Sequence, residues 1–161
     1  MSYSNIKGII FDLGSTLIEF ESRAWDEITI EGQKLAYDLL AKNNSNLPKF
    51  DIFNGRLEEI KAEFRAHAVS SLEEWRSQVA FEKLLTELKV DKAAELSGLC
   101  MNAFYDYVRE GIVTCDGAEE TLRELNERGY RIGLISNTIF PVHQHELDLD
   151  NFGLMPYIGF R

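Results

Sequence analysis

The chain has 161 residues, of which 45% are hydrophobic and 27% charged, the profile of a water-soluble globular domain and not of a disordered or collagen-like chain. That length buries a substantial core without disulfide or metal staples. The 27 acidic residues against 17 lysines and arginines give a net charge of -10, which argues against nucleic acid or an anionic membrane as partner.

No apolar run approaches the ~20 residues of a membrane span, and Met1 to Ser4 lack the basic, apolar and small-residue order of a signal peptide. The protein is therefore expected in the cytoplasm. Cys100 and Cys115 have no CxxC spacing and read as two buried, reduced thiols.

Ile6 to Phe11 (IKGIIF) is a short apolar run closed by Asp-Leu-Gly-Ser, which predicts a buried first strand entering a turn. From Ser22 to about Arg109 the apolar spacing is helical. It runs through Trp25, Ile28, Leu35 and Leu39; Leu57, Ile60 and Phe64; Leu72, Trp75 and Val79; and Leu96, Cys100, Ala103 and Tyr107. Four amphipathic helices are predicted, the first ended by Asn43 to Pro48, the third capped by Ser70-Ser71 and the fourth by Asp91. Trp25, Trp75, Phe104 and Tyr107 are expected in their core, and His67 as a surface or packing residue.

After Gly111, Asp116 and Glu119 form an N-cap pair for a helix of about three turns that Gly129 ends. Tyr130 to Ile135 (YRIGLI) reads as a second buried strand closed by Ser136-Asn137-Thr138, and Tyr157 to Phe160 as the opening of a third. Strand, helix and strand with short connections predict a parallel sheet. His143 and His145 are expected in an exposed loop after Pro141, and Asp148 and Asp150 on a solvated helix or loop.

Open parallel sheets bind ligands at the carboxyl ends of their strands, here Asp12-Leu13-Gly14-Ser15-Thr16 and Ser136-Asn137-Thr138. Asp12 stands beside a turn whose amides can surround an anion, and its carboxylate can attack phosphorus or carbon to give a covalent intermediate that water resolves. The Ser136 hydroxyl can hydrogen-bond the same transferred group.

FDLGSTL at Phe11 to Leu17, then a helical insertion, then GAEETLRELNERGYRIGLISNT at Gly117 to Thr138, resembles the first two motifs of the haloacid dehalogenase superfamily. The resemblance runs from about Ile6 to the end of the chain. It implies an α/β fold: a Rossmann-like core with a parallel sheet, incomplete here, over residues 1–20 and 111–161, and an inserted helical-bundle cap over residues 21–110. It further implies Asp12, Thr16 and Ser136 as catalytic residues, and Gly14, Ser15, Ser136 and Asn137 around a phosphate. Mg²⁺ would be held by Asp12 and the main-chain carbonyl of Gly14. The activity implied is a phosphatase acting on a small phosphorylated metabolite through an aspartyl-phosphate on Asp12. A catalytically incomplete binding protein and a metal-independent dehalogenase are the alternatives.

Two departures qualify the match. The phosphatase branch carries an Asp two residues after the nucleophile as general acid and base, where this chain has Gly14. The family also places a later Lys or Arg and an acidic pair, whereas no lysine follows Lys92 and only 25 residues follow Ser136. The chain is accordingly expected to be part of a longer hydrolase, with the first strand left unpaired on one side.

Overall fold

The computed structural model describes residues 6–20, 24–42 and 46–160. The predicted interruption at Asn43 to Ser45 and the start of the helical region at Ser22 lie outside them, as do Met1 to Ser4. The chain divides into two compact units: Met1–Ser22 with Gly111–Asn137 and Val142–Arg161, and Arg23–Glu110 with Thr138–Pro141.

The first unit is α/β. Strands β1 (Gly8–Phe11), β4 (Arg131–Leu134) and β5 (Ile158–Phe160) form a parallel sheet in the order β1-β4-β5. Helix α5 (Ala118–Glu127) precedes β4, while α6 (Val142–Asn151) and a 3₁₀ turn (Met155–Tyr157) connect β4 to β5. Leu122 of α5, Leu149 of α6 and Ile132 of β4 are almost fully buried and supply this unit's core.

The central strand is buried from Ile132 to Leu134, as its apolar run predicts. The first is not: β1 lies at the sheet's edge, alternates between exposed and half-buried residues, and leaves Ile10 55% exposed. Among the described residues it has one neighbour, which leaves one side of its backbone unpaired.

Two strands of three residues, β2 (Ile18–Phe20) and β3 (Ile112–Thr114), pair antiparallel in a second, small sheet. They are too short for an alternating pattern to reveal them. Helix α5 is entered through Gly117 at φ 75° with no side-chain cap, so Asp116 is not the N-cap expected. Gly129, at φ 83°, does end it, in the left-handed conformation that glycine adopts without cost. Asp148 departs further from expectation. It sits on α6 fully buried, 3.7 Å from Nδ1 of His145, which is likewise on this helix and not in a loop. Asp150 is exposed.

The second unit contains four helices among the described residues: α1 (Trp25–Ala41), α2 (Phe50–Ser71), α3 (Ser77–Glu87) and α4 (Ala93–Arg109). The α2 face is the predicted one, with Phe53, Leu57 and Ile60 buried. In α1 and α4 the buried stripe is rotated by about a residue. Leu35 is 46% exposed, and the α1 interior is Ile28, Thr29, Gly32, Gln33, Ala36 and Leu40. Likewise Tyr105 replaces Tyr107 in the α4 core, while the Tyr107 hydroxyl donates to Glu31. Of the four predicted core aromatics, Phe104 is 5% exposed but Trp25 is 42% exposed. The rotation follows Gly32, whose missing side chain lets α1 lie against Phe104.

The cap assignments change too. Ser70 and Ser71 end α2, both donating to the carbonyl of His67, and α3 begins six residues later, which leaves Leu72 92% exposed. Lys92, not Asp91, occupies the N-cap of α4. On the surface, Arg56 of α2 makes a two-armed ion pair with Glu87 of α3 at 2.8 and 2.9 Å and also reaches Glu59 and Glu63. The carboxylates hold its guanidinium far above its ordinary value, though such exposed pairs add little stability. His67 is exposed. No described helix is long and apolar enough to cross a membrane.

Candidate functional site

The parallel pairing of β1 with β4 places Phe11 opposite Leu134, and the Ile135 amide donates to the Phe11 carbonyl at 2.9 Å. Asp12 and Ser136 therefore leave the carboxyl ends of two hydrogen-bonded neighbours, the position at which parallel sheets place ligands. Asp12 and Asn137 are exposed and Ser136 is half-buried. The structure thus brings the two predicted segments to one end of one sheet.

Between Asp12 and β2 the chain closes a tight turn anchored by Leu13 and Leu17, each 2% exposed. The Leu13 carbonyl accepts from the amides of Thr16, Leu17 and Ile18 at 3.3, 2.9 and 3.1 Å. The Ser15 amide donates to Ile18 at 2.7 Å, which holds Ser15 at φ 57°, an uncommon conformation for a residue with a side chain. These bonds correct one expectation. The amides of Ser15 to Ile18 are spent inside the turn and are not free to surround an anion. Burying Leu13 and Leu17 is what turns Asp12, Gly14, Ser15 and Thr16 outward.

Gly14 lacks a positive φ, and a Cβ placed on it would meet nothing within 4 Å. Neither backbone nor space requires glycine there.

Asp12 and the Gly14 carbonyl are hard oxygen donors suited to Mg²⁺ in kind, but two donors fall short of its octahedron, which water and a substrate phosphate usually complete. Among the described residues no group of three His, Cys, Asp or Glu side chains is placed to hold a metal, His143 and His145 included.

Both cysteines are free. Cys100 is fully buried, and burial pushes its thiol up to about 12. Cys115 is only half-buried; burial first, then Glu19 and Asp116, raise it above its ordinary value. Neither has the thiolate character of a nucleophile.

The haloacid dehalogenase-like hydrolase family model matches residues 6–160. The chain belongs to this family. As a haloacid dehalogenase-like hydrolase it aligns over 96% of its length with a 2-haloacid dehalogenase from Pseudomonas syringae pv. Tomato DC3000, at 21% identity and a TM-score of 0.54, covering 62% of that chain. It also aligns over 96% of its length with a candidate β-phosphoglucomutase from Thermotoga maritima, at 13% identity and a TM-score of 0.52, covering 60% of that chain. The hydrolase chain thus spans about three fifths of the length of these solved structures. At such identities they share a fold with it. No curated protein matches it by sequence.

The helical unit of this hydrolase carries a further polar group that the sequence reading missed. A cavity of about 550 Å³ is lined by Thr29 and Gln33 of α1 and by Asn54, Glu58, Lys61 and Arg65 of α2, with aromatic walls. The signal was the spacing: 29 and 33, then 54, 58, 61 and 65, put polar side chains on one face of each helix.

Proposed function

We propose that this hydrolase is a phosphomonoesterase acting on a small phosphorylated metabolite, with Asp12 as nucleophile. The observation that carries the reading is the pairing of β1 with β4, which sets an exposed carboxylate and the Ser136 hydroxyl at adjacent strand ends. An Asp12 oxygen attacks phosphorus as the ester P–O bond breaks, giving an aspartyl-phosphate and an alkoxide that takes a proton from water. A second water then attacks phosphorus, inorganic phosphate leaves and the Asp12 carboxylate returns. Ser136 and Asn137 hydrogen-bond the transferred group from one side, and the Gly14 amide with the Ser15 hydroxyl does so from the other. Thr16 supports the nucleophile turn. Mg²⁺, held by Asp12 and the Gly14 carbonyl, would neutralise charge on the phosphoryl oxygens when bound. The helical unit serves as the cap, and the protein acts in the cytoplasm.

Gly14 gives the reading its particular character. Without a carboxyl there, leaving-group protonation falls to solvent, and the loss of a general acid and base typically slows turnover by about 10²- to 10⁴-fold. Activated esters, whose leaving groups need no proton, should be the better substrates.

The test is Asp12→Asn in the enzyme, assayed with p-nitrophenyl phosphate and Mg²⁺. Turnover should vanish with the circular dichroism spectrum unchanged; a variant keeping more than about a tenth of the activity overturns the nucleophile assignment. Chloroacetate turnover without metal would redirect the reading to carbon chemistry.

A further inference from the structure

Three residues that line the cavity in the helical unit each carry a buried side-chain atom with no hydrogen-bond partner: Thr29 Oγ1, Gln33 Oε1 and Asn54 Oδ1. Thr29 and Gln33 are 8% and 1% exposed. Buried polar atoms are nearly always paired, so three orphans around one space need a ligand's groups, or water, to satisfy them.

Their chemistry restricts the ligand. Gln33 donates through Nε2 to Glu58 Oε1 at 2.7 Å, which fixes its amide, because the flipped form would set oxygen against the carboxylate. Its free atom is therefore an acceptor, and so is Asn54 Oδ1. The ligand must bring donors. Phosphate and carboxylate groups offer acceptors only. The two cations are also engaged: Lys61 donates to Glu58 at 2.5 Å and Arg65 lies 3.7 Å from it. Burial raises the Glu58 carboxyl, but Lys61, Gln33 and Arg65 together hold it below its ordinary value, so this carboxylate stays charged and occupies both cations. An ammonium ligand is disfavoured by Lys61, whose side chain is only 12% exposed inside the same lining.

Uncharged hydroxyl groups remain. Each donates and accepts, matching Gln33 and Asn54 as acceptors and Thr29 as either. The lining also includes Trp25, Phe81, Phe104 and Phe140, flat surfaces against which the C–H faces of a ring or chain can pack. The space is of ordinary small-ligand size.

We propose that the cavity of the helical unit binds a polyhydroxylated small molecule, whose hydroxyls donate to Gln33 and Asn54 while its carbon skeleton packs on the aromatic wall. This goes beyond the assignment of Asp12 and does not rest on it, because binding is read with no metal or phosphoryl donor present.

The protein is titrated with sorbitol and with D-glucose by saturation-transfer NMR. Saturable binding is expected, with each ligand displacing the other. Thr29→Val and Asn54→Leu should each weaken it roughly 3- to 10-fold, the worth of one neutral hydrogen bond, while Arg123→Gln on α5, outside the cavity, leaves it unchanged. Thr29→Val keeps the side chain's shape and removes a hydroxyl that has no partner, so its melting temperature should not fall, which separates lost binding from lost folding. No saturable binding overturns the proposal, as does undiminished binding by both variants. Tighter binding of inorganic phosphate that Arg65→Gln abolishes would also overturn it and make the cavity an anion site.

Discussion

Replacing Gly32 by alanine sets two known effects against each other, and the geometry decides between them. In a helix interior alanine is favoured over glycine by about 1 kcal/mol. At Gly32, however, the new Cβ would stand 2.9 Å from Cδ2 and 3.2 Å from Cε2 of Phe104, and 3.1 Å from the Phe104 carbonyl oxygen. Carbon contacts are most favourable at ~3.5–4.0 Å, so α1 must move off α4 by about half an ångström. The ring cannot simply swing away, being 5% exposed and packed against Phe81 and Phe140, and the carbonyl belongs to the α4 backbone. Overpacking of this kind costs about 1–3 kcal/mol. Because a backbone atom is among the contacts, the upper part of that range applies. The net is a loss of about 1–2 kcal/mol, or roughly 2–8 °C in Tm for a chain of this length. Gly55 in α2 is the control, since a Cβ there meets nothing within 4 Å. Gly55→Ala should gain about 0.5–1 kcal/mol. Urea and thermal unfolding followed by circular dichroism measure both. If Gly32→Ala melts at or above the parent while Gly55→Ala rises, the close approach of α1 to α4 is wrong.

Gly14→Asp should fold normally and, if leaving-group protonation limits the rate, raise phosphatase turnover at least tenfold on alkyl phosphates and less on p-nitrophenyl phosphate; an equal rate on both would show the proton comes from elsewhere. A disulfide reagent at pH 8 should label Cys115 slowly and leave Cys100 untouched until urea unfolds the chain, which mass spectrometry of the labelled peptides would show. Glu58 has a folded pKa below its unfolded value of about 4.3, so its contribution is present above that pH and is lost as pH falls through the folded value. Glu58→Gln should therefore lower stability at neutral pH and converge on the parent as pH falls below the folded value, as urea midpoints against pH would report.

Much of the site was legible because its signals are local. Two mostly apolar six-residue runs, one leading into Asp12 and the other into Ser136, define strands whose ends must meet once the sheet is parallel. What the sequence hid depends on partners distant in the chain. The short strands β2 and β3 exist only because they pair with each other, and their three residues carry no period of their own. The rotated faces of α1 and α4 are set by Gly32 against Phe104, which no single-helix pattern contains. Asp148 looked solvated because aspartate is almost never fully buried. The polar stripe of α2 was readable at its spacing of four, three and four residues, but its meaning required α1 to bring Thr29 and Gln33 across the cavity.

The place of β1 at the margin of its sheet has a dynamic consequence. Half of its backbone groups bond to β4 and half face outward, so this strand breathes more readily than Ile132–Leu134, which lie between two neighbours. Asp12, the proposed nucleophile, thus follows an edge strand of the layer, and Ser136 follows the central one. In hydrogen exchange the amides of Ile9 to Phe11 would open before those of Ile132 to Leu134. A ligand held by both the turn after Asp12 and the Ser136 hydroxyl would tie the loose strand to the firm one, so occupancy of the site slows exchange along β1 far more than along β4.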